Sequence, residues 1–325
     1  MSARGTDQTI GPSTDTAHPS AKKTPPVWLV VAAFATVYVL WGSTYLGIRV
    51  AIESIPPLLM GGTRFLIAGL ILYGIMRMRG APRPELILWK DAAIIGGALL
   101  LIGNGGLTWA EQTVPSNIAA LIIASTPLWM IVFDWLRPSG KRPHGSVFVG
   151  LILGFIGVGL IIASKDSLGH NVAEPIGAIV LLVAALCWAA GSVFSRHARK
   201  SESALLAVAM QMIAGGALML CAGAALGECQ RFDFHSITAA SRIAFLYLLI
   251  FGSLIGFTAY VWLLQVSTPA RVSTYAFVNP LIAVVLGRVF RHEVLPSSVL
   301  LAGALIIVAV VLITMRSGVK PSSSR

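Results

Sequence analysis

Of 325 residues, 56% are hydrophobic and only 11% charged, a polar complement too small to cover a soluble globule of this length. Twenty-four Lys and Arg against 13 Asp and Glu give a formal net charge of +11. The charges fall mostly between apolar runs, so the basic excess needs no nucleic-acid partner to explain it, and the composition points to a bundle of transmembrane helices in a lipid bilayer.

Residues 1–26 are rich in Ser, Thr, Pro and Asp and lack an apolar stretch, as expected of a disordered cytoplasmic tail. The first apolar run, 27–48, is too long for a signal-peptide core and is expected to be a membrane helix. Past its middle, Trp41-Gly42-Ser43-Thr44 interrupts the aliphatic pattern with an aromatic ring, a glycine and two hydroxyls. That cluster suits a slightly unwound, pore-lining stretch, or a helix contact in which the hydroxyls bond back to the preceding turn. Arg49 and Glu53 follow four residues apart, a spacing that lets them pair.

The second run, 57–77, holds Arg64 about seven residues in, on the order of 10 Å deep at the rise of an α-helix. An Arg near the bilayer centre costs roughly 2.5–3.5 kcal/mol on insertion scales, so it should face the bundle interior, water or an acid. Its fork of donors suits a carboxylate or phosphate of a substrate; a buried ion pair with Glu111 or Glu53 would account for it equally well. The third run, 92–111, ends at Glu111, a candidate for energy coupling. The fourth, 116–135, carries Thr126-Pro127 in its middle and Asp134 near its end. Pro127 lacks an N–H and so frees the carbonyl of Ile123, bending the helix. The fifth run is 146–164, and a polar linker occupies 165–174.

The second half runs 175–195 with Trp188, 203–226 with Gln211, 242–264, 271–290 and 298–315, ahead of a tail at 316–325. In the ninth run, Asn279-Pro280 repeats the polar-Pro pattern, Pro280 frees the Ala276 carbonyl, and Tyr275 stands one turn before Asn279. Freed carbonyls are tolerated at membrane depth only when buried in protein or facing water, so both bends should border a central cavity.

Landmarks recur at constant offsets. Trp41, Arg49 and Arg64 recur as Trp188, Arg196 and Gln211 at 147 residues, while Pro127, Pro143 and Gly150 recur as Pro280, Pro296 and Gly303 at 153. Five spans per copy is an odd number, so the second copy starts on the opposite side of the membrane. The expected architecture is all-α, with ten transmembrane helices in two inverted five-helix repeats at 27–164 and 175–315. With the N-terminus inside, 17 Lys and Arg lie on the cytoplasmic side and six outside, which places both termini in the cytoplasm.

Short loops leave no room for a soluble catalytic domain. No GxxxxGK[ST], GxSxG, HExxH or aspartate-rich motif occurs, the histidines fall in tails or loops, and no CxxC spacing appears. Neither a metal nor another cofactor is indicated.

The stretch from Trp41-Gly42-Ser43-Thr44-Tyr45 through Ile48-Arg49, Glu53, Pro56-Pro57 and Arg64-Phe65-Leu66 resembles the first repeat of the EamA branch of the drug/metabolite transporter superfamily. Gly103-Asn104-Gly105, Ala110-Glu111, Val114-Pro115-Ser116 and Thr126-Pro127-Leu128 resemble its bacterial YedA-like exporters. Trp188-Ala189, Gly191-Ser192, Thr274-Tyr275-Ala276, Val278-Asn279-Pro280 and Glu293 are similar to the second repeat. The resemblance implies a central cavity between the halves and export of small metabolites or drugs across the bacterial inner membrane, with Trp41, Ser43, Arg64, Trp188, Tyr275 and Asn279 as cavity candidates. Asp134, and Arg288 with Arg291 before Glu293, depart from its usual apolar or glycine-rich pattern and suggest an external basic patch. The expected activity is export of small organic solutes such as amino acids, by alternating access. The rivals are a membrane-embedded enzyme acting on a lipid or isoprenoid, whose acids Glu53, Glu111 and Asp134 would have to converge, and an uncoupled facilitator.

Overall fold

The structure, a computed structural model, describes residues 25–136, 145–163, 173–199, 201, 203–267, 272, 274–291 and 297–317. Most of both tails, most of the linker at 165–174, and the side chains of Pro143, Pro296 and Glu293 lie outside them. All regular structure among the described residues is helical. In chain order the helices are α1 (Val27–Ala51), α2 (Pro57–Met78), α3 (Leu86–Ala110), α4 (Ser116–Ile123), α5 (Thr126–Leu136), α6 (Gly145–Ala163) and α7 (Ala173–Ser195). Then come α8 (Ala204–Ala225), the short α9 (Glu228–Arg231), α10 (Ala239–Val266), α11 (Tyr275–Arg291) and α12 (Ser297–Ser317).

Among the described residues, α1, α2, α3, α4 with α5, α7 from Pro175, α8 and α10 form seven stretches long and apolar enough to cross a membrane. Shorter apolar cores, Val147–Leu160 and Leu300–Ala309, lie in α6 and α12. Large apolar side chains such as Val39, Leu70, Ile152, Ile179 and Ile250 are exposed on the outside of the bundle. Such a surface suits acyl chains as its solvent.

Local chemistry sets the helix starts. Pro57 opens α2, where a missing N–H costs nothing, and the next two free amides, Leu58 and Leu59, donate to the Glu228 carboxylate of α9 at 3.2 and 2.8 Å. Ser203 and Thr238 cap α8 and α10 by accepting from Leu206 and Ser241. Of the two readings of Trp41-Gly42-Ser43-Thr44, the stretch does not unwind: α1 is continuous, Ser43 and Thr44 donate back to the Leu40 and Trp41 carbonyls at 2.8 and 2.7 Å, and Gly42 lets the helix approach Ile282 of α11, 2.7 Å from where a Cβ would stand.

Extensive helix pairings join α2 to α8, α6 to α12 and α3 to α7, each pair taking one helix from either half of the chain. At the α2–α8 seam the backbones nearly touch. A Cβ on Gly216 would lie 2.6 Å from the Leu66 nitrogen and 2.9 Å from the Gly62 oxygen, so a side chain there would drive the helices apart.

Two interruptions were not legible in the apolar pattern. Residues Gly97–Asn104 within α3 and Leu248–Phe257 within α10 are wound as π-helix, and the two stretches end 153 residues apart, at the offset of the proline landmarks. Such segments are rare and concentrate at functional sites. The expected bend at Pro127 is a break: α4 stops at Ile123, α5 begins at Thr126, and the Thr126 hydroxyl donates to the Ile123 carbonyl at 2.7 Å. Pro280 lies inside the continuous helix α11.

Candidate functional site

Where the two π-helical stretches meet α1, α2 and α7, the bundle encloses a cavity of about 70 Å³. That volume holds a few waters, so a metabolite would have to widen the cavity on entry. Trp41, Thr44 and Tyr45 of α1 and Arg64 and Phe65 of α2 line it from the first half, with Asn104, Ile123 and Thr126. Trp188, Gly252, Phe257, Tyr275 and Asn279 line it from the second.

Arg64 is the most buried charge in this wall, 2% exposed. Its Nη2 donates to the Asn104 Oδ1 at 2.5 Å, and its guanidinium carbon lies 4.4 Å from the centre of the Phe65 ring. Asn104 closes the π-helical turn of α3, and its backbone carbonyl accepts from the Thr108 hydroxyl at 2.8 Å. The Arg64 Nε has no hydrogen-bond partner. Leaving a buried donor unsatisfied costs about 1–3 kcal/mol, more for a charged group, a penalty that a bound acceptor would remove. Glu111 is fully buried nearby and acts on Arg64 through space, but it is not part of the cavity wall.

Glycines seat the aromatic residues. A Cβ on Gly256 would fall 2.7 Å from the Trp41 Nε1, and one on Gly103 2.9 Å from the Trp188 ring. Each tryptophan thus packs on a π-helical glycine of the other half, and Gly103 and Gly256 are themselves 153 apart. Trp41 donates to the Gly252 carbonyl at 3.3 Å and meets Trp188 and Tyr275 edge to face, with centroids 5.6 and 5.4 Å away. Tyr260 closes the cluster, 4.8 Å from Trp41, with its hydroxyl 3.2 Å from that of Ser192. With its amide turned so that nitrogen donates, Asn279 bonds the carbonyls of Tyr38 and Tyr275 at 3.1 and 3.2 Å.

Beyond Tyr260 lies a second, larger vestibule of about 450 Å³, lined by Leu99, Arg196, Arg199, Gln211, Tyr260 and Gln265 among others. Arg199 is engaged by Asp91, which also accepts from its backbone amide at 3.1 Å. At the opposite end the halves are tied together. Glu53 pairs with Arg291 at 2.5 Å and the Ser241 hydroxyl donates to the Val50 carbonyl at 2.9 Å, while within the first half Arg49 donates to the Glu111 carbonyl.

The structure therefore brings Trp41, Arg64, Trp188, Tyr275 and Asn279 to one cavity and leaves other candidates outside it. Ser43 points elsewhere: its hydroxyl donates to the carbonyls of Val39 and Leu40 and contacts the Tyr247 hydroxyl at 2.5 Å, while Thr44 takes the cavity position. Glu53 pairs with Arg291 rather than Arg49 or Arg64, because Arg49 reaches the Glu111 backbone instead. Gln211 lines the vestibule and does not face Arg64 across one cavity. Pro127 and Pro280 stand beside the lining residues Thr126 and Asn279 without lining the cavity themselves. Thr44 belongs to the cluster read as pore-lining, whereas Asn104, Gly252 and Phe257 were not singled out as cavity residues in the sequence; the polar Asn104 between two glycines in an apolar run was the available signal for the first.

Residues 27–163 and 175–315 each match the EamA-like transporter family. The chain is similar to the uncharacterized inner membrane transporter YedA of Escherichia coli (strain K12), with 38% identity over 87% of this chain and 90% of that one. It is also similar to the uncharacterized transporter YvbV of Bacillus subtilis (strain 168), with 29% identity over 87% and 90% of the two chains. A solved crystal structure shares the fold at a TM-score of 0.64 and 20% identity, covering 88% of this chain and 98% of its own.

Proposed function

Because this chain belongs to the EamA-like transporter family and is a multi-pass membrane protein, we propose that it exports small organic metabolites across the bacterial inner membrane by alternating access. In this reading ten helices form two inverted five-helix repeats, both termini are cytoplasmic, and the Arg64 cavity is the substrate site. One observation carries it: a buried arginine with a spare donor lines a small cavity built from both halves, and an aromatic layer parts that cavity from a wide vestibule. The vestibule end carries the Arg196 and Arg199 loop, which the basic bias assigns to the cytoplasm, while the Glu53–Arg291 end is tied shut. The arrangement fits an inward-open state with a collapsed binding site.

The enzyme reading needs paired acids at one depth. Glu53 and Asp134 are exposed, Glu111 is buried, and none of them lines the cavity. The deciding experiment is transport by the purified protein in liposomes, assayed with a broad panel of small metabolites under a pH gradient and under exchange. Movement of at least one solute is expected, and failure on the whole panel sinks the export reading. Flux that ignores proton gradient and membrane potential would instead identify a facilitator.

A further inference from the structure

We propose that the central cavity selects organic monoanions, with Arg64 anchoring a carboxylate and the Trp41, Trp188 and Tyr275 rings holding a compact apolar body. The inference rests on the export reading and names the chemical class that the cavity would take.

Charge is its first support. Arg64 is the one charged side chain among the lining residues described, and its wall partners are neutral: Asn104 occupies Nη2, and Phe65 lies against the guanidinium. Nε is left with a buried hydrogen and no acceptor. A carboxylate would supply that acceptor and the opposite charge together. An ammonium would meet a fixed like charge at short range in a buried site, where the one offset is the through-space field of Glu111, whose carboxylate stands behind the wall and does not line the cavity.

Shape is the second support. Gly252 stands beside the guanidinium, and a Cβ there would come within 3.8 Å of Nη1 and 3.2 Å of the Thr44 methyl. The missing side chain keeps the approach to the charge open. Around it the wall is aromatic, with the edge-to-face contacts of Trp41 able to open onto a flat apolar group. A phosphate would bring up to two charges to a single arginine and has no use for the rings, so a carboxylate on a small hydrophobic frame fits better.

The third support lies away from the cavity. In the vestibule Asp91 is taken up by Arg199, which leaves Arg196 as the basic group that a solute meets on the way in. Both stations on the path therefore carry the same sign, a field that raises the local concentration of anions.

The test uses the full-length protein in lipid nanodiscs and three probes on one skeleton: 3-phenylpropanoate, 3-phenylpropanamide and 3-phenylpropylamine. Binding is read by tryptophan fluorescence and confirmed by competition with flux in liposomes. The expected result is that the carboxylate binds at least tenfold tighter than the amide and the amine. Arg64→Gln should erase that preference, and Ser43→Ala, outside the cavity, should keep it. Should Arg64→Gln fail to insert, Arg64→Lys serves in its place: it keeps the charge, loses the fork, and should lower the preference without reversing it. Equal or tighter binding of the amine or the amide overturns the anion inference and leaves export standing. Absence of binding by all three also overturns it, whereas the export reading fails only if the broad solute panel fails in liposomes.

Discussion

Arg64 and Ser43 were both cavity candidates in the sequence, yet only one reaches the cavity, and the reason is what each side chain does when no partner is supplied. A guanidinium cannot satisfy its donors on its own helix, so burial forces it toward a polar neighbour or open space, and here it finds Asn104 and the cavity. A serine hydroxyl bonds back to its own helix, as Ser43 does to Val39 and Leu40, and is free to face anywhere. Replacing Arg64 with Ala should abolish flux, on the order of a hundredfold or more if a charge-assisted bond worth about 1.5–3 kcal/mol is lost at each substrate contact, with normal yield of inserted protein. Flux assays beside membrane-fraction immunoblots decide it; a variant that fails to insert would mark Arg64 as a structural partner. Ser43→Ala should change flux less than about twofold, since two of its bonds stay on its own helix and the third, to the Tyr247 hydroxyl, lies outside the cavity, and substitutions away from packed core and buried polar networks usually stay within about 0.5 kcal/mol.

At the scale of elements, apolar periodicity marked the spans but not their interior winding. A π-helical stretch uses the same Leu, Ile and Gly as an α-helical one, so Gly97–Asn104 and Leu248–Phe257 left no compositional trace. Their glycines did leave one, in the offset of 153 between Gly103 and Gly256, but in a chain with 32 glycines such a match carries little weight without its tryptophan partner. The prolines of α5 and α11 were legible because a missing N–H has a fixed consequence, although packing decided that one site breaks and the other stays continuous. Gly256→Ala should push Trp41 off its seat and Gly103→Ala should push Trp188. Each overpacking costs about 1–3 kcal/mol, read as lower thermal stability, and should be accompanied by a shift in tryptophan emission. If both variants keep wild-type emission and flux, the seating contacts do not shape the site.

For the molecule as a whole, the repeat was visible in the chain because Trp, Arg and Pro are scarce enough for their spacing to mean something, whereas the vestibule, an empty volume framed by several helices, has no sequence signature. The tie between Glu53 and Arg291 likewise joins the end of α1 to the end of α11, far apart in the chain. It turns the expected external basic patch into half of a cross-half ion pair. Both partners are partly solvated, so the pair is worth about 0.2–1 kcal/mol, enough to move a two-state balance by roughly 1.4- to fivefold. Glu53→Gln should raise the population open at that end by this factor, measured as the labelling rate of a cysteine placed at Thr44 in a background free of Cys187, Cys221 and Cys229. Unchanged labelling would remove the pair from the gating account. The glycine seam between α2 and α8 bears on a different matter, the question of what moves. The pairings of α2 with α8 and of α6 with α12 each join a helix of one repeat to a helix of the other, and the Glu228 carboxylate pins the start of α2 to the chain just beyond α8. A motion that separated the repeats as blocks would have to part these contacts, so in the proposed cycle the two repeats are not expected to move as rigid halves. In the proposed transport cycle α2 and α8 are expected to stay together as a frame, with α3 held against α8 where a Cβ on Gly96 would lie 2.8 Å from the Gly215 nitrogen. A disulfide between Leu58→Cys and Gly223→Cys, where Cβ atoms would lie 3.2 Å apart, should therefore leave flux intact on oxidation, and a loss reversed by reductant would show that the frame itself opens.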